Sequence, residues 1–178
     1  EGGGWPGTFE DVAQAVDLLA KHDDPRLDCH RVAFVGHSAG GHLALWASGR
    51  SRLRPGLPLY KESPFMPHGV IGLAAITDLQ KHAGETNGCQ EELLGLIGTD
   101  ESRLSERCAQ ISPALLGSDV QVTLLHGDSD ELVSPEQART MHEADTIMLE
   151  GAGHFDMIHP GTAAFTVLLR TLDAVMKS

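Results

Sequence analysis

The sequence predicts an α/β protein: a parallel sheet with helices on both faces. Three observations carry that prediction. Segments with apolar residues at helical spacing alternate with short apolar runs, in the order α, β, α, β, polar insert, β, α, β, α. The apolar runs are continuous rather than alternating, as in strands buried on both faces. Glycine-rich or acidic turns then follow three of the four runs, at the end where open parallel sheets bind ligands. A length of 178 residues suits one domain over 1–178.

The elements follow in order. Thr8 is placed to cap a first helix, with Asp11 three residues on and Phe9, Val12, Ala13, Val16, Leu19 and Ala20 at helical spacing. His22-Asp23-Asp24-Pro25 ends it, and Arg31–Val35 reads as a buried strand. A second helix follows Gly36–Gly41, with Leu43, Ala44, Trp46 and Ala47 facing inward. Residues 50–68 hold four prolines and read as a surface loop. Gly69–Ile76 is the second strand. Residues 78–118 form a polar insert, with helical pieces at Glu91–Ile97 and Arg103–Ala109, that would lie over the strand ends, either as part of a cap or as an ordinary surface excursion. Val120–Leu125 is the third strand. Ser134-Pro135-Glu136-Gln137 starts a helix, with Ser as cap, Pro at the first helical position and Gln closing the capping box. Thr146–Leu149 is the fourth strand. A helix over Thr162–Met176 closes the chain, with Phe165, Leu168, Leu169, Leu172 and Val175 in its buried stripe.

Composition narrows the function. Lys and Arg number 13 against 25 Asp and Glu, a net charge of −12 at pH 7. Binding to nucleic acid needs a basic face, so nucleic acid is not an expected partner. No run of about 18 apolar residues is present to span a membrane. Cys29, Cys89 and Cys108 form no metal-binding spacing and read as thiols of a reducing, cytoplasmic compartment, with a Cys89–Cys108 bridge as the alternative.

Chemistry collects at the strand ends. After the first strand comes Gly36-His37-Ser38-Ala39-Gly40, a G-x-S-x-G motif between a strand and a helix. The sharp turn pushes the serine hydroxyl out above the sheet, and Gly36 and Gly40 leave room for neighbouring backbone. The helix N-terminus favours negative charge, and the Ala39 N–H is placed to face a developing oxyanion. After the third strand comes His126-Gly127-Asp128-Ser129-Asp130, where an aspartate can orient a histidine. After the fourth comes Gly151-Ala152-Gly153-His154, a small-residue loop on which a histidine can swing over the serine. The order Ser, Asp, His is that of an α/β-hydrolase triad. His37 is expected beside the turn, His42 on its helix and His159 in a loop. His37 and His42 lie five apart around a turn, which is poor metal spacing.

The stretch Val35–Trp46 resembles the nucleophile region of α/β-hydrolases of the carboxylesterase, kynurenine-formamidase-like and prolyl-oligopeptidase-like branches. Leu124–Val133 is similar to their acid loop, Gly151–Phe155 to their histidine loop, and Ser112-Pro113 to the pair they carry before the acid strand. The resemblance implies a serine hydrolase acting on a carboxylic ester or a small amide. Ser38 would be the nucleophile and His154 the base. Asp130, three residues after the glycine, would be the triad acid, with Asp128 capping its own turn, and Ala39 would be one oxyanion donor. No metal or organic cofactor is implied. A serine peptidase releasing short peptides, or a non-enzymatic binding member of the fold, are the alternatives.

One part departs from the resemblance. Its members carry a His-Gly-Gly type motif on an early loop, and no His-Gly-Gly occurs in residues 1–178. Gly2-Gly3-Gly4-Trp5-Pro6 resembles instead the loop entering a later helix. The expectation is therefore a chain holding the C-terminal part of the sheet, with the early strands and oxyanion loop outside it. Its nucleophile strand would then be an open edge through which copies can pair as a homo-oligomer.

Overall fold

The computed structural model describes residues 3–21, 24–84, 90–98 and 100–178. Four strands, β1 (Ala33–His37), β2 (Gly69–Leu73), β3 (Gln121–Gly127) and β4 (Asp145–Leu149), form one sheet in the order β1-β2-β3-β4. All three pairings are parallel, with Val35 opposite Ile71, Ile71 opposite Thr123 and Leu125 opposite Ile147. The helices are α1 (Gly7–Asp17), α2 (Ala39–Ser48), α3 (Leu79–Ala83), α4 (Gln90–Ile97), α5 (Glu101–Ile111), α6 (Pro113–Leu116) and α7 (Ala163–Val175).

Side-chain alternation divides the interior into two layers. Val70, Val122 and Leu124 join Phe9, Leu45, Trp46, Cys108 and Ile111 on one face. Ile71, Leu73, Leu125 and Leu149 join Ala164, Leu168 and Val175 of α7 on the other. The two central strands are therefore apolar on both faces, and their sequences show no polar alternation. Trp46 is fully buried, stacked edge-on to Phe9 at 4.9 Å between ring centroids.

Several boundaries differ from the sequence reading. Thr8 lies inside α1: Pro6 is the N-cap, and no side chain caps that helix. The α1 helix stops at Asp17, and a single 3-10 turn carries Leu19–Lys21. The β1 and β3 strands run two residues further than their apolar cores, to His37 and Gly127, and β2 stops at Leu73. Strand pairing decides these ends, through the register His37–Leu73–Leu125 and Gly127–Leu149. Ser134 does cap, accepting from the Glu136 N–H, but it caps a 3-10 turn over Pro135–Arg139 rather than an α-helix. Gln137 turns its amide oxygen to the Thr77 and Asp78 N–H groups, so that acceptor ties two loops together instead of closing a capping box. On α7, Leu169 is half-exposed, and Ala164 takes its expected place in the core. Cys108 is a buried thiol, raised in pKa by burial and by Asp78; the pairing with Cys89 lies outside the described residues.

Candidate active site

The carboxyl ends of β1, β3 and β4 carry the three predicted residues, and the direct contact among them is between Asp130 and His154. Ser38 follows β1 directly and sits at φ 55°, ψ −121°. A residue with a Cβ rarely adopts that conformation, which costs about 1–3 kcal/mol and persists only where its surroundings enforce it. Two backbone bonds do so here: Ser38 N–H donates to the Leu73 carbonyl at 2.8 Å, and the Ser38 carbonyl accepts from His42 N–H at 3.0 Å.

The glycines around Ser38 divide differently from the motif's symmetry. A Cβ on Gly36 would overlap the Gly40 carbonyl, and one on Gly41 would lie 2.7 Å from the Ala75 Cβ. A Cβ on Gly40 would meet nothing within 4 Å. Gly36 and Gly41, not Gly36 and Gly40, therefore make the tight turn. Ala39 is exposed at the start of α2, where backbone N–H groups have no intrahelical partner.

Asp130 and His154 meet between β3 and β4. His154 Nδ1 lies 2.8 Å from Asp130 Oδ2. The Asp130 side chain is fully buried, and its Oδ1 accepts from the Leu132 and Val133 N–H groups, each at 2.9 Å. Asp128 does not cap its own turn, as the sequence reading expects. Its Oδ1 reaches across to the Gly151 N–H at 2.7 Å and takes the Ser129 hydroxyl at 3.0 Å. Of the two aspartates, Asp130 is the one on the histidine, and Asp128 holds the backbone of the opposite loop.

The loop carrying His154 is tied to its surroundings by hydrogen bonds. Asp156 Oδ2 accepts from Gly153 N–H at 2.7 Å, and the Ala152 carbonyl accepts from Ser129 N–H at 3.1 Å. Gly127 permits this approach, since a Cβ there would overlap the Ala152 carbonyl. His37 fastens the same loop to β1. Its Nε2 lies 2.8 Å from the His154 carbonyl, so Nε2–H is the donor. The two rings stand 4.5 Å apart, with Phe155 edge-on to His154 at 4.9 Å. Ser38 is the next residue after His37, so this contact brings Ser38 and His154 to the same strand ends.

Some features left no signal in the sequence. Ala74, at the end of β2, has φ 44° and is fully buried beside the Gly41 approach. His126 lies buried against Asp130. His42 is buried with Nδ1 donating to the Ile76 carbonyl at 2.9 Å, and burial pushes its pKa down to about 4. A cavity of about 400 Å³ lies beside the histidine loop, lined by Glu150, Asp156, Thr162 and Val167 among others, and neither Ser38 nor Asp130 lines it. Among the described residues no helix is long and apolar enough to cross a membrane. Nor does any group of three or more His, Cys, Asp or Glu stand ready for a metal ion there.

Comparison with known proteins points to the same fold. The chain is 28% identical over 158 residues to a kynurenine formamidase-like hydrolase, fscH, of Fusarium equiseti; the match takes in 83% of this chain and 49% of that protein. The chain thus spans about half the length of this curated relative. Among solved structures, a truncated carbohydrate esterase from gut microbiota superposes with a TM-score of 0.75 at 20% identity, covering 98% of this chain and 70% of that one. A puromycin-hydrolysing peptidase of Mycobacterium tuberculosis superposes with a TM-score of 0.66 at 24% identity, covering 94% of this chain and 24% of that one. The fold is that of an α/β-hydrolase. The BD-FAE family profile matches residues 2–144, a span that includes Ser38 and Asp130 and stops short of His154. With four-fifths of its length inside that match and the fold in agreement, the chain belongs to the BD-FAE family.

Proposed function

We propose that this chain carries the catalytic residues of a serine hydrolase that cleaves a carboxylic ester or a small amide through an acyl-enzyme. The observation that carries the reading is the buried 2.8 Å bond from His154 Nδ1 to Asp130 Oδ2, held by His37 at the strand end that bears Ser38. In such a pair the ring Nδ1–H donates to the carboxylate oxygen, so Nε2 keeps the lone pair that a general base needs. Ser38 attacks the substrate carbonyl while His154 Nε2 takes its proton. Asp130 holds the tautomer and stabilises the imidazolium. The Ala39 N–H, at the start of α2, faces the oxyanion. His154 then returns its proton to the leaving group, and water releases the acyl group by the same route reversed. The hydrolase and esterase relatives support the reaction class.

The test is labelling of the full-length protein by a fluorophosphonate, alongside turnover of short-chain p-nitrophenyl esters, N-formyl aryl amides and peptide anilides. Ser38→Ala is expected to abolish labelling and lower kcat by roughly 10⁴–10⁶-fold with the fold intact. A Ser38→Ala protein that keeps a tenth of wild-type turnover would overturn the reading. Cleavage of peptide anilides alone would move the substrate class to peptides.

A further inference from the structure

Resting on the serine-hydrolase reading, we propose that His126 is a positioning residue for the reaction: it holds Asp130 Oδ2 on His154 and shares the carboxylate's charge. His126 is the penultimate residue of β3, on the side of the sheet that Val122 and Leu124 face. Its ring is almost wholly buried, and the side chain of Asp130, four residues on, is fully so. His126 Nε2 lies 3.0 Å from the Val133 carbonyl. A carbonyl oxygen only accepts, so Nε2 carries the proton. That same nitrogen, its proton turned to Val133, lies 3.5 Å from Asp130 Oδ2. The oxygen that orients His154 therefore sits between two imidazoles, at 2.8 Å from His154 and 3.5 Å from His126.

The arrangement has a chemical consequence. Asp130 accepts three hydrogen bonds, from the Leu132 and Val133 N–H groups and from His154 Nδ1, with the His126 ring nitrogen 3.5 Å from Oδ2, and none of these groups belongs to a Lys or Arg. A carboxylate answered only by dipoles keeps its negative charge available to the imidazolium that forms during turnover. The positive N–H edge of the His126 ring, 3.5 Å away, tempers that charge, and the buried ring stands against movement of Oδ2 away from His154. Its proton-bearing nitrogen cannot act as a base toward Asp130, so the two histidines hold distinct roles. The other titratable groups on the surrounding loops are His37, tilted against His154, Asp128 and Glu131 flanking Asp130 in sequence, Glu150 at the start of the histidine loop, and Asp156 on Gly153 N–H.

Removing the His126 N–H leaves Asp130 more strongly negative toward His154, which favours the imidazolium. The acid limb of the kcat/KM profile then moves to higher pH. A histidine that merely tied β3 to Val133 would change stability and leave that limb in place. The test compares wild type, His126→Phe and His126→Gln in the full-length protein between about pH 5 and 9, with Ser38→Ala as control. His126→Phe is expected to raise the acid limb by about half a pH unit and lower kcat about tenfold, with KM little changed. His126→Gln, whose amide N–H can still donate, is expected to restore much of both. A His126→Phe limb that superimposes on wild type overturns the proposal. Nitrogen NMR of histidine-labelled wild-type protein gives a second readout that needs no variant. It is expected to show His126 Nε2 protonated across the range, and an unprotonated Nε2 overturns the proposal. Turnover surviving in Ser38→Ala sinks the serine-hydrolase reading; a dead Ser38→Ala with an unmoved limb sinks only the role of His126.

Discussion

Two buried carboxylates in this molecule, Asp130 at the ends of β3 and β4 and Asp17 at the end of α1, are surrounded by donors of opposite kind. Asp17 meets the buried Arg50 guanidinium at 2.8 and 3.1 Å, Lys61 Nζ at 2.7 Å and the Phe65 N–H at 2.8 Å. Burial raises its pKa, but the bonds to Arg50, Lys61 and Phe65 outweigh it and hold the carboxyl well below the usual carboxylate range. Asp130 meets backbone N–H groups and imidazoles only. A permanent cation cancels a carboxylate and fixes a helix end. An imidazole leaves the charge waiting for a proton. The first arrangement anchors α1 to the segment after α2; the second suits a group that must respond during turnover.

Exchanging charge for dipole at each carboxylate breaks this comparison in opposite ways. Asp130→Asn should lower kcat about 10⁴-fold, since an amide can present its N–H and force the wrong His154 tautomer, with melting temperature little changed. Asp128→Asn should cost far less in the same assay, because Asp128 holds only the Gly151 N–H and its own neighbour. The reverse ranking would exchange the two roles.

Asp17→Asn should do the opposite. It leaves Arg50, 2% exposed, without its counter-charge, which costs about 3–5 kcal/mol of stability by denaturant titration. Turnover per folded molecule should hold, because none of the site residues touches Asp17. The wild-type contribution is also pH-dependent. The folded pKa of Asp17 is depressed, so its stabilisation is present above the ordinary carboxylate pKa near 4 and is lost as pH falls below it. Denaturation midpoints of Asp17→Asn should therefore converge on wild type in acid.

His42 sharpens the comparison from a third side, as a buried imidazole with a carbonyl partner and no carboxylate on it. Its pKa falls from 6.5 to about 4, so the unfolded chain takes up a proton that the folded one refuses. Stability should decline as pH drops from 6.5 toward about 4, by about 3 kcal/mol at the lower end. A His42→Phe variant should show a flatter slope over that window in urea titrations. An unchanged slope would place the acid sensitivity elsewhere.

The sequence points to Ser38, Asp130 and His154 as candidates because each stands in a short motif at the end of an apolar run, and motif and run are both local. The features it hides depend on distant backbone. Gly41 rather than Gly40 is indispensable because of Ala75, on the loop after the neighbouring strand. Gln137 looks like half of a capping box until Thr77 and Asp78 claim its oxygen from 60 and 59 residues away. His126 reads as the first residue after a strand, and only the return of the chain at 130–133 gives it its partners. The positive φ of Ala74 has no mark at all, since alanine is not the residue expected there. Leu169 satisfies helical spacing yet faces out, because the stripe of α7 that meets the sheet is narrower than its apolar content.

The strands lie across the sheet in the order in which they occur along the chain. The Asp130–His154 bond closes a loop of 24 residues, whereas the His37–His154 contact closes one of 117. Chain-closure entropy makes the longer loop about 1.4 kcal/mol more costly. During assembly the acid and the histidine can therefore meet while β1 is still unplaced, and the serine arrives afterwards. A molecule frayed at the His37 junction would keep the Asp130–His154 pair while Ser38 stood apart from it.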